Sequence, residues 1–167
     1  VVFLTECLMN QNARDQGTAV SPAVNRALID LLADRQVGMA QIPCPEIACL
    51  GFARQRASGQ SIRAALEAQG PAACCAKLAM VTADRIQCYL QQGYEVPAVL
   101  GGNDQSPACA VHETEPGSNR LADSSGIFMR ALADGLVRRG LSVPFRGMRD
   151  ADSSRLDDDL AWLRERL

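Results

Sequence analysis

Val1-Val2-Phe3-Leu4-Thr5-Glu6-Cys7 opens the chain with a β-branched and aromatic run that stops at a cysteine. Such a run, followed by a polar stretch through Gly17, reads as a buried strand feeding a functional loop. The pattern comes again at Val37 to Ile42, a predicted second strand that ends in Pro43-Cys44-Pro45. The prolines there deny the backbone a ladder and predict an irregular turn. Glu95 to Leu100 predicts a third strand, which Gly101-Gly102 breaks before Ser106-Pro107-Ala108-Cys109. Each of these strands delivers a cysteine just past its end.

The segments between them carry helical signals. Ser21-Pro22 supplies an N-cap with proline at the first helical position, and Val24, Leu28, Leu31 and Leu32 follow on one face to about Arg35. A polar stretch from Gly51 to Ser61 leads into a helix near Ile62 to Ala68, and Pro71 opens a long helix that Gly93 closes. On that long helix Cys74, Leu78, Val81 and Cys88 share a face, which predicts both cysteines as small core residues. Ser124 or Ser125 caps a helix with Phe128, Leu132 and Leu136 aligned, and Gly140 ends it. Val143 to Phe145 predicts a brief fourth strand. A last helix from Ser153 or Ser154 turns Leu156, Leu160 and Leu163 inward.

Strands alternating with helices imply right-handed crossovers and parallel pairing. The expected fold is α/β: one three-layer, Rossmann-like domain over residues 1–167, with a mainly parallel four-stranded sheet and helices on both faces. Length and a 47% apolar composition fit one such domain. Lys plus Arg is 17 against 19 acidic residues, with no long basic run, so duplex nucleic acid is not the expected partner. Charged residues, glutamine or proline interrupt every apolar stretch before the ~18 residues that a membrane span needs. Val1 to Leu4 is too short for a signal-peptide core, and a cytoplasmic location is expected. Seven cysteines is an odd number, which speaks against a secreted disulfide scaffold.

In parallel sheets of this kind ligands bind beyond the carboxyl ends of the strands, where Cys7, Cys44 and Cys109 are expected to meet. Thiolates take soft or borderline metals, so zinc and an iron–sulfur cluster are the candidate occupants, with metal-free buried thiols as the alternative. Three ligands leave one coordination position open to a substrate atom.

These residues resemble a known family. Cys7-Leu8-Met9, with Arg14 and Gly17 beyond it, looks like the first signature of the thiouracil desulfidase (TudS-like) family. Cys44-Pro45-Glu46 is similar to its Cys-Pro-Glu signature, and Ser106-Pro107-Ala108-Cys109 to its Ser-Pro-Ser-Cys signature. The resemblance implies a compact α/β domain in which Cys7, Cys44 and Cys109 hold a [4Fe-4S] cluster whose fourth iron takes up sulfur from a thionated pyrimidine. It further implies Glu46 as the catalytic carboxylate and Ser106 as a hydroxyl that orients the substrate. Ala108 and Ala110 stand where the family has Ser and Gly, and Asp15-Gln16 where it has Tyr-Asp. These departures touch the pocket lining rather than the thiolates. The implied reaction is a non-redox hydrolysis in which Glu46 takes and returns a proton, with its pKa raised by Pro45 and Ile47.

Other residues enter as weaker candidates. Cys49 offers a fourth thiolate, which would close the cluster and make the protein an electron-transfer or structural one. His112, three residues after Cys109, is a candidate ligand or proton donor. The Cys7 to Arg14 stretch invites comparison with a low-molecular-weight tyrosine phosphatase loop, but it holds six intervening residues where that loop holds five. Arg14 stays as a candidate substrate contact, against a salt bridge to Asp15 or Glu6. Gly101-Gly102-Asn103-Asp104 lacks the spacing of a dinucleotide fingerprint, so the glycines read as room for close backbone approach and Asn103 as a substrate contact. Three functions therefore stand at this point: a desulfidase for a small thiolated compound, a non-catalytic protein with a saturated cluster or zinc site, and a metal-free small-molecule binding module.

Overall fold

The computed structural model describes residues 1–115 and 120–167. Strands β1 (Val2–Thr5), β2 (Met39–Ile42), β3 (Val99–Gly101) and β4 (Phe145–Gly147) form one all-parallel sheet in the order β2-β1-β3-β4. Val2 pairs with Met39, Phe3 with Val99, and Val99 with Phe145. The chain steps from β1 out to β2, then crosses back to β3 on the other side of β1. That reversal between β1 and β3 is the switch point at which parallel sheets open a crevice at their carboxyl ends.

Helices cover both faces, which makes three layers. On one face Phe3, Val99 and Phe145 pack with residues of α5 (Gln69–Gln91) and α6 (Ile127–Arg138), among them Ile86, Phe128 and Leu132. On the other, Val2, Leu4 and Leu100 meet α2 (Arg26–Asp34) and α7 (Ser153–Arg164) through Leu28, Leu32, Leu160 and Leu163. Every residue of β1 is buried because its alternating side chains serve both cores. Each large side chain buried in this way is worth roughly 1.5–3 kcal/mol. No helix among the described residues is long and apolar enough to cross a membrane.

The structure departs from expectation at several element ends. Beyond Cys44 the chain forms a helix, α3 (Pro45–Leu50), rather than an irregular turn. Proline serves as well at the first helical position, where no N–H is needed, as it does in a turn. The helix expected at Ser21-Pro22 starts at Arg26, because the buried Asn25 side chain accepts from Leu28 N and caps it there. β3 begins only at Val99, with the Ala98 carbonyl accepting from Phe3 N just before it, and Gly101 belongs to β3 instead of breaking it. A Cβ at Gly101 would collide with the Cys109 carbonyl, and one at Gly126 with that of Ala108, so only glycine permits this packing. Gly126 also caps α6, in place of the expected serine.

The buried stripe of α5 is Cys75, Ala79, Thr82, Ala83 and Ile86. This corrects the expected face: Val81 and Cys88 are exposed and Cys74 is only half-buried. The remaining short elements are α1 (Glu6–Met9), a 3-10 turn at Gln11–Ala13, and α4 (Ile62–Leu66).

Candidate functional site: a thiol-lined sheet edge

Two of the site cysteines follow their strands closely and the third comes later. Cys7 lies in α1, two residues beyond β1; Cys44 caps α3, two residues beyond β2; Cys109 lies in the loop eight residues after β3. Cys44 and Cys109 are buried and Cys7 is half-buried. The sulfurs are near enough that the charge of one is felt by the others, with Cys109 coupled to both Cys7 and Cys44. Desolvation dominates all of them. It pushes the Cys44 thiol up to about 11 against the pull of the Ile47 N–H and Arg54, raises Cys7, and raises Cys109 well above the ordinary thiol value.

Several groups position these thiols. Cys44 N donates to the Glu6 carboxylate at 2.8 Å, which joins the end of β2 to the end of β1. Ser106 Oγ accepts from Cys109 N at 3.0 Å, and Gly102 N donates to Cys109 O at 2.9 Å, which fold the third loop onto the strand. The Thr5 hydroxyl lies 3.7 Å from Cys7 Sγ.

Glu46 stands in the first turn of α3, with its side chain 12% exposed. Burial raises its pKa above the ordinary carboxylate value, opposed chiefly by Arg54, whose Nε donates to Oε2 at 3.2 Å. The direction agrees with expectation. Arg54 itself is almost wholly buried at a positive φ of 46°, donates to the carbonyls of Ala13 and Phe52, and brings Nη2 within 4.0 Å of Cys44 Sγ. Beside it the 53–61 loop forms an open, polar concavity of about 540 Å³.

Arg14 and Asn103 are at the same sheet edge, but each is engaged by Asp150. Arg14 Nη2 donates to both Asp150 oxygens at 2.8 and 2.7 Å, and Asn103 Nδ2 donates to Oδ1 at 2.8 Å. Gln11 and Asn25 complete the group at 3.0 and 3.5 Å. Arg14 thus pairs with neither Asp15 nor Glu6. Asp150 ties the loops after β1, β3 and β4 together, and no local sequence signal marks it. A second buried carboxylate, Asp159, holds Arg146 and Arg149 beneath α7.

His112 Nδ1 lies 2.9 Å from the Ser124 hydroxyl and Nε2 3.7 Å from Asp104, so its ring nitrogens face a hydroxyl and a carboxylate. Cys49 is joined to Cys74 in a disulfide, which removes it as a fourth thiolate. Glu6, Arg54 and Asp150 are the site-edge residues that sequence reasoning missed. Among the described residues no group of three or more His, Cys, Asp or Glu side chains is arranged to hold a single metal ion. The donor set is soft, dry and neutral as it stands, and a cationic centre would draw these thiols into the thiolate form.

No protein family, curated protein or solved structure matches this chain. The fold and the edge together define a class: a parallel α/β protein with free cysteines on the segments that follow its three neighbouring strands β1, β2 and β3.

Proposed function

We propose that the protein is a cytoplasmic iron–sulfur desulfidase that removes sulfur from a small thiolated compound, a thionated pyrimidine, by non-redox hydrolysis. The observation that carries this reading is that three largely desolvated thiols, each following a different strand, lie within electrostatic reach of one another and of Glu46, whose pKa burial raises. The engagement of Cys49 in a disulfide speaks against a saturated four-thiolate site.

When bound, the cluster would supply an open iron that polarises a thiocarbonyl and accepts sulfur. The chain's own residues do the rest. Cys7, Cys44 and Cys109 would hold the centre, and Ser106 and Gly102 keep the Cys109 loop closed on β3. Glu46 would accept a proton from the attacking water and return it as sulfide leaves, so the C–S bonds break, C–O bonds form and no electrons are exchanged. Arg54 holds Glu46 in place from the Oε2 side. A location in the cytoplasm suits the exposed free thiol of Cys88.

The test is iron and acid-labile sulfide analysis of protein purified and reconstituted without oxygen. We expect a brown protein whose spectrum changes when sulfide or 2-thiouracil is added, and Cys44→Ser should lose the colour. A colourless wild-type protein that binds no iron would leave the thiols to a metal-free binding module.

A further inference from the structure

Cys49 on α3 and Cys74 on α5 are bridged, with Cα atoms 5.6 Å apart, inside the span a disulfide requires. The next residue along α5, Cys75, is a free thiol with no exposed surface, and its sulfur lies 3.7 Å from Cys49 Sγ. One sulfur therefore has two neighbours within reach, one bonded and one in contact.

We propose that Cys49, Cys74 and Cys75 form a thiol–disulfide exchange site. The Cys75 thiolate attacks Cys49 Sγ, a Cys49–Cys75 bond forms as the Cys49–Cys74 bond breaks, and Cys74 leaves as a thiolate that takes up the proton Cys75 gave. One disulfide and one thiol are consumed and one of each is made, so the step needs no oxidant or reductant. The sulfurs are already in contact, 3.7 Å apart against the roughly 2.05 Å of a bond.

The two bridges are not equivalent. Adjacent helical residues point about 100° apart. The first bridge ends on a half-buried residue; the second would end on the buried stripe of α5, at a sulfur whose charge Cys109 feels. Exchange would thus carry the cross-link into the core and release Cys74 toward solvent, where a low-molecular-weight thiol or its disulfide can reach it. Disulfides that exist in a reducing compartment are typically redox-active, and an adjacent resolving thiol is what such chemistry requires. α3, which the bridge anchors, also presents Cys44 and Glu46. The exchange itself stands apart from the desulfidase reading and needs no cluster.

The full chain is incubated at mildly alkaline pH, quenched in acid, unfolded and labelled with N-ethylmaleimide, then reduced, labelled with iodoacetamide and sequenced by tandem mass spectrometry. We expect the maleimide label to shift from Cys75 to Cys74 in a fraction that grows with incubation time. In Cys74→Ser incubated with oxidised glutathione, which supplies the two-electron oxidation that closing a new disulfide needs, we expect Cys49 and Cys75 to be found bonded. Maleimide confined to Cys75 at every time point, or both sulfurs free in Cys74→Ser while the wild type stays bridged, would overturn the proposal.

Discussion

Glu46, half-buried, and Asp150, buried, are both carboxylates at the carboxyl edge of one sheet, yet their surroundings differ in kind. Asp150 accepts from Arg14, Gln11, Asn25 and Asn103, so its charge is met on every side. Glu46 has one cationic donor, Arg54, and burial wins over it, which raises its pKa. A carboxylate surrounded by donors serves as a staple between loops. One that is poorly solvated and singly supported has its pKa raised, which is the surrounding that the proposed role of Glu46 calls for.

The sharpest way to break this contrast is Asp150→Ala. It leaves the Arg14 guanidinium, whose side chain is 8% exposed, without a counter-charge. We expect a loss of about 3–5 kcal/mol of stability in urea unfolding, as for other broken buried pairs. A change below about 1 kcal/mol, the ordinary range for surface pairs, would show that the group of donors is not a staple.

Glu46→Gln probes the other side. Glutamine still offers an oxygen to Arg54 Nε, so the fold and the thiols should survive. Turnover of a thionated base should fall by about 10²–10⁴-fold, the usual loss of a proton-transfer group. Full turnover with an intact cluster would remove Glu46 from the chemistry.

The thiols extend the contrast to pH. The Cys44 thiol ionises at about 11 in the folded protein against 9.0 ordinarily, and the same holds for Cys75. Between those pH values the unfolded chain has lost protons that the folded one keeps, so stability is full below pH 9 and falls as pH rises toward 11. For cluster-free, disulfide-intact protein the loss should approach roughly 1.4 kcal/mol per thiol per pH unit. A cluster-loaded sample should show a smaller loss, because bound thiolates no longer titrate. Urea midpoints measured across this range read the slope directly.

Much of the frame was legible along the chain. β1 announces itself as Val2-Phe3-Leu4-Thr5, and the reading that a cysteine stands just past the strand holds for β1 and β2, while Cys109 comes eight residues after β3. What failed did so for nameable reasons. On α5 a rotation of about 100° separates Cys74 from Cys75, and apolar spacing suited either as the inward residue. Pro45 is compatible with a turn and with a helix start, and only the continuation to Leu50 decides between them.

Periodicity and strand-end placement are local properties, which is why the sequence alone determined a parallel α/β frame with its cysteines at one edge. Partnerships between remote residues are not local. Gln11 reaches Asp150 across 139 residues, Cys44 N reaches Glu6 across 38, and Cys49 finds Cys74 and Cys75 across the gap between two helices. Charge satisfaction and sulfur pairing depend on distances that arise only once the layers have packed, so tertiary structure alone decided which carboxylate is held, which is dry, and which thiols remain free.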